Sequence, residues 1–207
     1  VQLDVRNRTG HKFPTGFPSR RAWLHPRVTD AEQKVVFESG GWDGQGRIVG
    51  QMGDPLASEA VGGPVAEHQQ VIDGSDQVQI FEAIMEGVDE EVTYRLMRAE
   101  EYHKDNRLLP PGWSDSFDSI DRIKPVGTDG DDDFESGGDR TTYQVAVPSD
   151  AARPLKVEAE LVYQPISARF AAEMFEADTK AVEVFETYWQ QADRSPDPVD
   201  EATVEVP

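Results

Sequence analysis

Short stretches of this sequence alternate strictly between apolar and polar residues, and this pattern limits the fold more than any other. It is clearest at residues 143–147 (YQVAV) and 157–163 (VEAELVY), and residues 1–5 (VQLDV) follow it as well. A period of two places every second side chain on one face, which is typical of a strand with one buried side. Seventeen Gly and fourteen Pro residues interrupt the chain, so we expect short strands joined by long, ordered loops.

Further strands are predicted where apolar residues cluster between turns. Residues 21–25 and 34–37 form a predicted hairpin around residues 29–33. Residues 78–85 form a predicted central strand, and residues 92–97 either pair with it or form a short helix. Connections are expected at three places, namely a long excursion over 40–74 that is functional or flexible, a loop over 105–125 and a hairpin-like connection over 148–154.

Helical periodicity occurs only late in the chain. Residues 168–175 and 181–189 repeat apolar side chains every three or four positions. Asp178 and Thr179 are predicted to separate these stretches into two helices. A last strand is predicted at residues 203–206.

These patterns together predict the architecture. About eight strands followed by helices indicate a mainly β fold, an antiparallel β-sandwich with long loops and a C-terminal helical segment. Residues 1–165 form the predicted sandwich domain. The helical segment and the acidic, Pro-rich tail of residues 166–207 are expected to pack on that same domain.

The charge balance of the chain is strongly acidic. Forty acidic residues face twenty basic ones, of which only six are lysines, and the net charge is −20. Such a surface repels nucleic acids and anionic membranes, and it attracts cations or a basic partner. The composition indicates either adaptation to high salt, where self-repulsion is screened, or an acidic protein without such adaptation. No apolar run approaches membrane-spanning length, so no membrane insertion is expected.

The chain contains no cysteine. Disulfides, thiolate metal sites and covalent haem attachment through Cys-x-x-Cys-His are therefore excluded. No Gly-x-Ser-x-Gly elbow and no phosphate-binding Gly-rich loop occurs, and the histidines form no zinc-binding spacing. We therefore expect no enzyme activity, and we expect His25 and His68 in packing or surface roles. No signal peptide opens the sequence, which fits a mature or excised piece of a longer protein.

Six local strings follow one another in a definite order. They are residues 7–16 (NRTGHKFPTG), 20–24 (RRAWL), 35–40 (VVFESG), 104–112 (KDNRLLPPG), 133–139 (DFESGGD) and 161–166 (LVYQPI). In this order and spacing they resemble the C-terminal, haem-free region of bacterial and archaeal multihaem c-type cytochromes, over nearly the whole chain. In that family a haem-bearing N-terminal part precedes such a domain.

The resemblance implies an exported protein, periplasmic or extracellular, in an electron-transfer context. Its haem c is expected on an adjoining segment or a partner chain. This chain is then a non-catalytic accessory domain, which shields or ligates the neighbouring haem and offers a docking surface. The expected partner is a haem-bearing cytochrome segment or subunit, and assembly into a homo-oligomer or a filament is left open.

Four residues are candidates for contact with such a haem. His11 is the first candidate for an axial ligand, because neutral imidazole binds iron. The alternative is a ring that locks its own turn by hydrogen bonds to the backbone. His103 adjoins one of the six strings and is the second candidate. Arg20 and Arg21 form a basic doublet that meets either haem propionates or a carboxylate inside the domain.

A dense acidic run is a candidate calcium site. Its predicted ligands are Asp129, Asp131, Asp133, Glu135 and Asp139. Calcium takes six to eight oxygen ligands, and loops rich in Asp and Gly can bring them together. The spacing is not that of an EF-hand, and the alternative is a solvated acidic loop. Calcium binding here favours a second function, a calcium-dependent β-sandwich module that binds carbohydrate or a cell-surface polymer.

Overall fold

The computed structural model describes all 207 residues, Val1–Pro207. It contains twelve β-strands, two α-helices and three single turns of 3-10 helix. The strands are β1 (Gln2–Arg6), β2 (Arg21–Thr29), β3 (Val35–Glu38), β4 (Gly41–Trp42), β5 (Ile48–Val49), β6 (Val71–Ile72), β7 (Ile80–Gly87), β8 (Val92–Thr93), β9 (Ala99–Asp105), β10 (Gly138–Tyr143), β11 (Leu155–Gln164) and β12 (Asp197–Val206). The helices are α1 (Ala168–Phe175) and α2 (Lys180–Gln191), and the 3-10 turns are Ala57–Glu59, Leu96–Arg98 and Ile120–Arg122.

Two sheets form the body of the molecule. The larger has seven strands in the order β12–β11–β2–β7–β8, with β3 beside β2 and β9 beside β7. The smaller has the order β1–β10–β6, in which β1 is antiparallel and β6 parallel to β10. Neither sheet closes into a barrel, and 35% of the chain is strand against 14% helix. The predicted mainly β, antiparallel sandwich with a C-terminal helical segment is therefore confirmed.

The main hydrophobic core fills the space between the two sheets. Alternate side chains of β2, β7 and β11 point into it, as the period-two pattern predicts. Leu3 and Val5 of β1 close it from the opposite side. Its buried members are Leu24, Val28, Phe37, Ile72, Phe81, Leu108, Tyr143, Leu155 and Val157.

The excursion over residues 40–74 covers the other face of the seven-stranded sheet. It contains β4, β5, β6 and the 3-10 turn Ala57–Glu59, and it contributes Ile48 to a second buried cluster. The cluster comprises Trp23, Ile48, Val78, Ile80 and Val162, and Trp42, Leu56 and Ala66 pack against it. The large sheet is therefore buried on both faces, which explains why three successive residues of β2, Ala22 to Leu24, are all buried.

One strand prediction and one connection prediction are wrong. The strand predicted at residues 143–147 lies earlier, at β10, and the connection over 148–154 is not a hairpin, because β10 and β11 belong to different sheets. The buried side of β10 carries the polar residues Asp139 and Thr141, so the sequence of this strand lacks the apolar alternation of a half-buried strand. The strand β9 was not predicted either, since its sequence AEEYHKD is almost entirely polar.

The C-terminal elements follow the predicted pattern closely. Ser167 caps α1 by accepting the N–H of Phe170 at 3.2 Å, and Thr179 caps α2 by accepting the N–H of Val182 at 3.3 Å. The last strand is longer than predicted, and β12 forms the outer edge of the large sheet. None of the helices has the length and apolar character needed to cross a membrane.

Candidate functional site

The loop that follows β1 carries His11 on its exposed side. Its Nδ1 lies 2.9 Å from the main-chain oxygen of Lys12 and 3.2 Å from the hydroxyl oxygen of Thr9. A carbonyl oxygen can only accept a hydrogen bond, so Nδ1 carries the ring proton. The other nitrogen, Nε2, keeps its lone pair and has no partner within the chain. A histidine whose N–H is fixed by a carbonyl and whose second nitrogen is free is arranged as metal-binding histidines are.

Hydrogen bonds from the Asn7 side chain and from the backbone hold this loop against the segment after β9. The buried side chain of Asn7 donates from Nδ2 to the main-chain oxygen of His11 at 2.8 Å and of Leu108 at 3.0 Å. Phe13 and Leu108 exchange two N–H···O bonds of 2.9 and 2.8 Å. The string around His11 and the string over residues 104–112 are therefore in direct contact, and the position of His11 is fixed by buried groups.

A buried ion cluster fixes the residue after His11. Asp105 is fully buried, and its carboxylate accepts Nζ of Lys12 at 2.7 Å and two N–H groups of Arg107 at 2.7 and 2.8 Å. Nζ of Lys12 also lies 5.3 Å from the ring centroid of Trp113. Burial lowers the pKa of Lys12, and the charge of Asp105 opposes that shift. Loss of the carboxylate would leave two cations poorly compensated, so the cluster is stable only as a unit.

His103 has a similar free nitrogen on a different surface. It lies on β9 with its side chain 40% exposed, and its Nδ1 is 2.8 Å from Oε2 of Glu86 on β7. A carboxylate accepts, so Nδ1 is protonated and Nε2 has no partner within the chain. Its partner is a side chain with rotamers of its own, so the ring of His103 is less constrained than that of His11.

The two arginines of the basic doublet have different environments. Arg21 is buried, and it donates to Glu59 from Nη2 at 3.0 Å and to Gln164 from Nε at 2.9 Å. It meets a carboxylate inside the domain, one of the two roles that the sequence left open. Arg20 donates from Nη1 to the main-chain oxygen of Thr15 at 2.8 Å and forms no salt bridge within the chain. Its remaining N–H groups are free to meet an anion from outside.

The most densely hydrogen-bonded polar group surrounds His68. Gln79 accepts the N–H of Gln69 through Oε1 at 2.8 Å and donates from Nε2 to Nδ1 of His68 at 2.9 Å. Asn106 accepts the N–H of Glu82 through Oδ1 at 3.0 Å and points Nδ2 at the same Nδ1 from 3.1 Å. Backbone groups thus fix both amides, and Nδ1 of His68 is an acceptor without a proton.

The proton of His68 therefore sits on Nε2, which donates to Oδ2 of Asp131 at 2.8 Å. Asp139 accepts Nε2 of Gln79 at 2.9 Å, and burial raises the pKa of Asp139. Ligand atoms of His68, Asp131 and Asp139 lie within 4.8 Å of one another, as a metal site requires. A metal ion on Nε2 would move the ring proton to Nδ1, where two N–H groups already point. The donor set fits a closed hydrogen-bond network and does not fit a metal ion.

The side chains of the other predicted calcium ligands do not join this network. Asp129 and Glu135 are exposed. Asp133 lies 3.8 Å from Arg140, which also bonds to Asp4 at 2.9 Å. The structure thus brings together two of the five residues, beside a histidine rather than the further oxygen ligands that calcium prefers. Calcium binding stays a prediction that this geometry does not support.

Sequence analysis missed the place of His68 at the centre of a network. Three of its contacts come from residues 11, 38 and 63 positions away along the chain. No local spacing signals such a group, because the fold alone brings its members together.

Comparisons with known proteins bear on the fold. No protein-family model matches the chain, and no curated protein does. Among solved structures, the fold is similar to the crystal structure of a penta-haem cytochrome c552 from Thermochromatium tepidum, with a TM-score of 0.51 and 14% sequence identity. The match covers 99% of this chain and 35% of that chain, so this chain spans about a third of that protein's length. The fold is therefore one that also occurs within a multihaem cytochrome.

Proposed function

We propose that this chain is a non-catalytic accessory domain of an exported multihaem c-type cytochrome. In this role it supplies Nε2 of His11 as an axial ligand to a haem that an adjoining segment or a partner chain carries. It also covers one side of that haem and so limits contact with water. The chain has no cysteine of its own for covalent attachment, so its contribution to holding a haem attached elsewhere is the ligand and the docking contacts.

The availability of ring nitrogens carries this proposal. His25 has both nitrogens engaged, at 3.0 Å from Glu160 and 3.0 Å from Glu38, and His68 is fully engaged as described. Only His11 and His103 present an unpartnered Nε2. His11 is preferred because a backbone carbonyl fixes its tautomer and because buried residues hold its loop.

The chemistry required of the chain is modest. A bound haem supplies the electron-carrying iron, and the protein supplies a neutral imidazole at a fixed position. The free N–H groups of Arg20 suit a propionate, because guanidinium binds carboxylates in a bidentate way. The similarity to a penta-haem cytochrome supports this context, since almost all of the present chain matches part of that longer protein.

The decisive experiment replaces His11 in the complete haem-bearing gene product. His11→Ala should convert one haem from six-coordinate low spin to high spin, and added imidazole should restore it, with electron paramagnetic resonance as the measurement. His103→Ala is the matched control and should leave every haem low spin. If His11→Ala leaves all haems low spin while His103→Ala changes one, the ligand is the second histidine.

A smaller experiment uses the 207-residue chain by itself. A haem c peptide with an open distal position should show a saturable shift of its Soret band when titrated with the chain. His11→Ala should weaken this binding at least about tenfold, which corresponds to about 1.4 kcal/mol of binding free energy. A native gene product that carries no haem and has no haem-bearing partner would remove the basis of the proposal.

A further inference from the structure

The strand β12 leaves one edge of the large sheet open over its whole length. It pairs only with β11, and all ten of its residues are exposed. None of its backbone groups bonds to another strand on the outer side. A long, unpaired edge of this kind is a template onto which a further strand can be added.

An apolar groove runs beside this edge, between the two sheets. It has a volume of about 330 Å³ and is lined by Leu3 and Val5 of β1, Leu161 of β11, and Val199 and Ala202 of β12. The sandwich is thus open on this side, because β1 and β12 are the outer strands of the two sheets and do not meet. An added strand would place alternate side chains in this groove.

The charges along the edge select the kind of partner. β12 carries Asp197, Asp200, Glu201 and Glu205, and it has no Lys or Arg. Glu160 adds a further negative charge at the groove, and the one cation of its lining, Arg6, lies 3.8 Å from the carboxylate of Asp4. A second copy of this chain would set like charges opposite one another, which destabilises a strand pair. A segment with basic residues on its solvent side and apolar residues on its groove side meets both requirements.

We propose that β12 and the adjoining groove bind an extended, basic segment of another chain by strand addition. The backbone of the segment pairs with the outer edge of β12, its apolar side chains enter the groove against Leu3 and Val5, and its basic side chains face the carboxylates of β12. This inference does not depend on His11, and its test contains no haem, so either proposal can fail without the other.

The probe is an acetylated and amidated peptide of alternating Lys and Val. It should bind the 207-residue chain saturably in calorimetric titration and slow the exchange of the amide protons of β12. The matched control is the same peptide with an N-methyl group on every residue, which keeps charge and side chains but removes the backbone donors. The control should bind at least about tenfold more weakly, since several backbone hydrogen bonds are lost.

Variants of the protein test the two other contributions. Glu201→Lys with Glu205→Lys should weaken peptide binding about tenfold at low salt and remove most of its salt dependence. Val199→Ser should weaken it independently of salt, because it removes an apolar contact without changing the charge. These positions are exposed, so the fold should remain intact, and the circular dichroism spectrum checks this.

Two outcomes would overturn the inference. Equal binding of the plain and the N-methylated peptide would show electrostatic attraction without strand addition. Concentration-dependent dimerisation of the chain in sedimentation, together with slower exchange of the same β12 amide protons, would assign the edge to a second copy instead.

Discussion

His11 and His68 both lie in segments without regular secondary structure, yet their surroundings differ in every respect that matters for chemistry. The side chain of His68 is buried, with only 4% of it exposed, and its ring nitrogens face two amides and a carboxylate. His11 is exposed, and one of its ring nitrogens is free. The difference shows that hydrogen bonding, rather than the presence of a histidine near acidic or glycine-rich strings, decides which ring can accept a ligand.

The two regions also contribute differently to stability. The His68 network joins Asp139, on β10 of the small sheet, to Gln79 and Asn106 beside strands of the large sheet. The network therefore helps to hold the small sheet against the large sheet. The ring of His11 supports nothing else in the chain, and its loop depends on Asn7 and Asp105 for its position.

The largest effect is expected at the buried carboxylate beneath the His11 loop. Asp105→Asn should lower the free energy of unfolding by about 3 kcal/mol, because Lys12 and Arg107 are left partly buried without a counter-charge. Urea denaturation measures this. Hydrogen exchange at Phe13 should become faster in parallel.

Asp115→Ala is the matched control for that variant, because Asp115 is exposed and lies in the neighbouring loop. It should change the free energy of unfolding by less than about 0.5 kcal/mol. A comparable loss in both variants would mean that the buried cluster has no special importance.

A direct comparison of the two histidines gives the second effect. His68→Ala should cost about 2 kcal/mol, because Asp131 and the amides of Gln79 and Asn106 lose their partner in a buried place. His11→Ala should cost less than about 0.5 kcal/mol, as is usual for an exposed side chain. Thermal unfolding of both variants is the measurement. Equal losses of unfolding free energy would contradict the proposed difference between the two regions.

The third prediction concerns pH. Burial raises the pKa of Asp139 above its ordinary value of 3.8. Between pH 3.8 and the raised pKa, the folded chain therefore keeps a proton that the unfolded chain releases. This contribution to stability is complete below pH 3.8 and is lost as pH rises through the raised pKa. Urea midpoints measured upward from pH 3.8 should therefore fall relative to those of Asp139→Asn, in which the group no longer titrates. A constant difference between the two proteins would contradict the prediction.

The smallest effect is expected from calcium. Because two N–H groups point at Nδ1 of His68 and the Nε2 proton is held by Asp131, calcium should shift the melting temperature by less than about 1 °C at millimolar concentration. Scanning calorimetry with calcium and with a chelator tests this. A clear stabilisation that His68→Ala abolishes would show that the network is a metal site after all.

Sequence patterns predicted those parts of the fold in which hydropathy and burial agree. β11 and both helices follow a regular apolar period, and their bounds were predicted closely. β10 was placed wrongly because its buried face carries the polar residues Asp139 and Thr141, which a hydropathy pattern assigns to the surface. The excursion over residues 40–74 was expected to be functional or flexible because its glycines obscure the apolar residues that cover the large sheet.

The candidate site was predictable only where it is local in sequence. His11 stands within one string, so a resemblance could single it out. The contacts that hold its loop run from Asn7 to Leu108 and from Lys12 to Asp105, which are 101 and 93 positions apart. The partners of His68 are 11 to 63 positions away. Such contacts exist only in the folded chain.

The ion pair between Arg21 and Glu59 has a consequence for how sequences with this fold can vary. It ties the excursion over residues 40–74 to the first residue of β2, and both side chains are almost completely buried. The turn at residues 51–54 is exposed and contains neither residue of this ion pair. Insertions and deletions should therefore accumulate at that turn, whereas Arg21 and Glu59 should change only together.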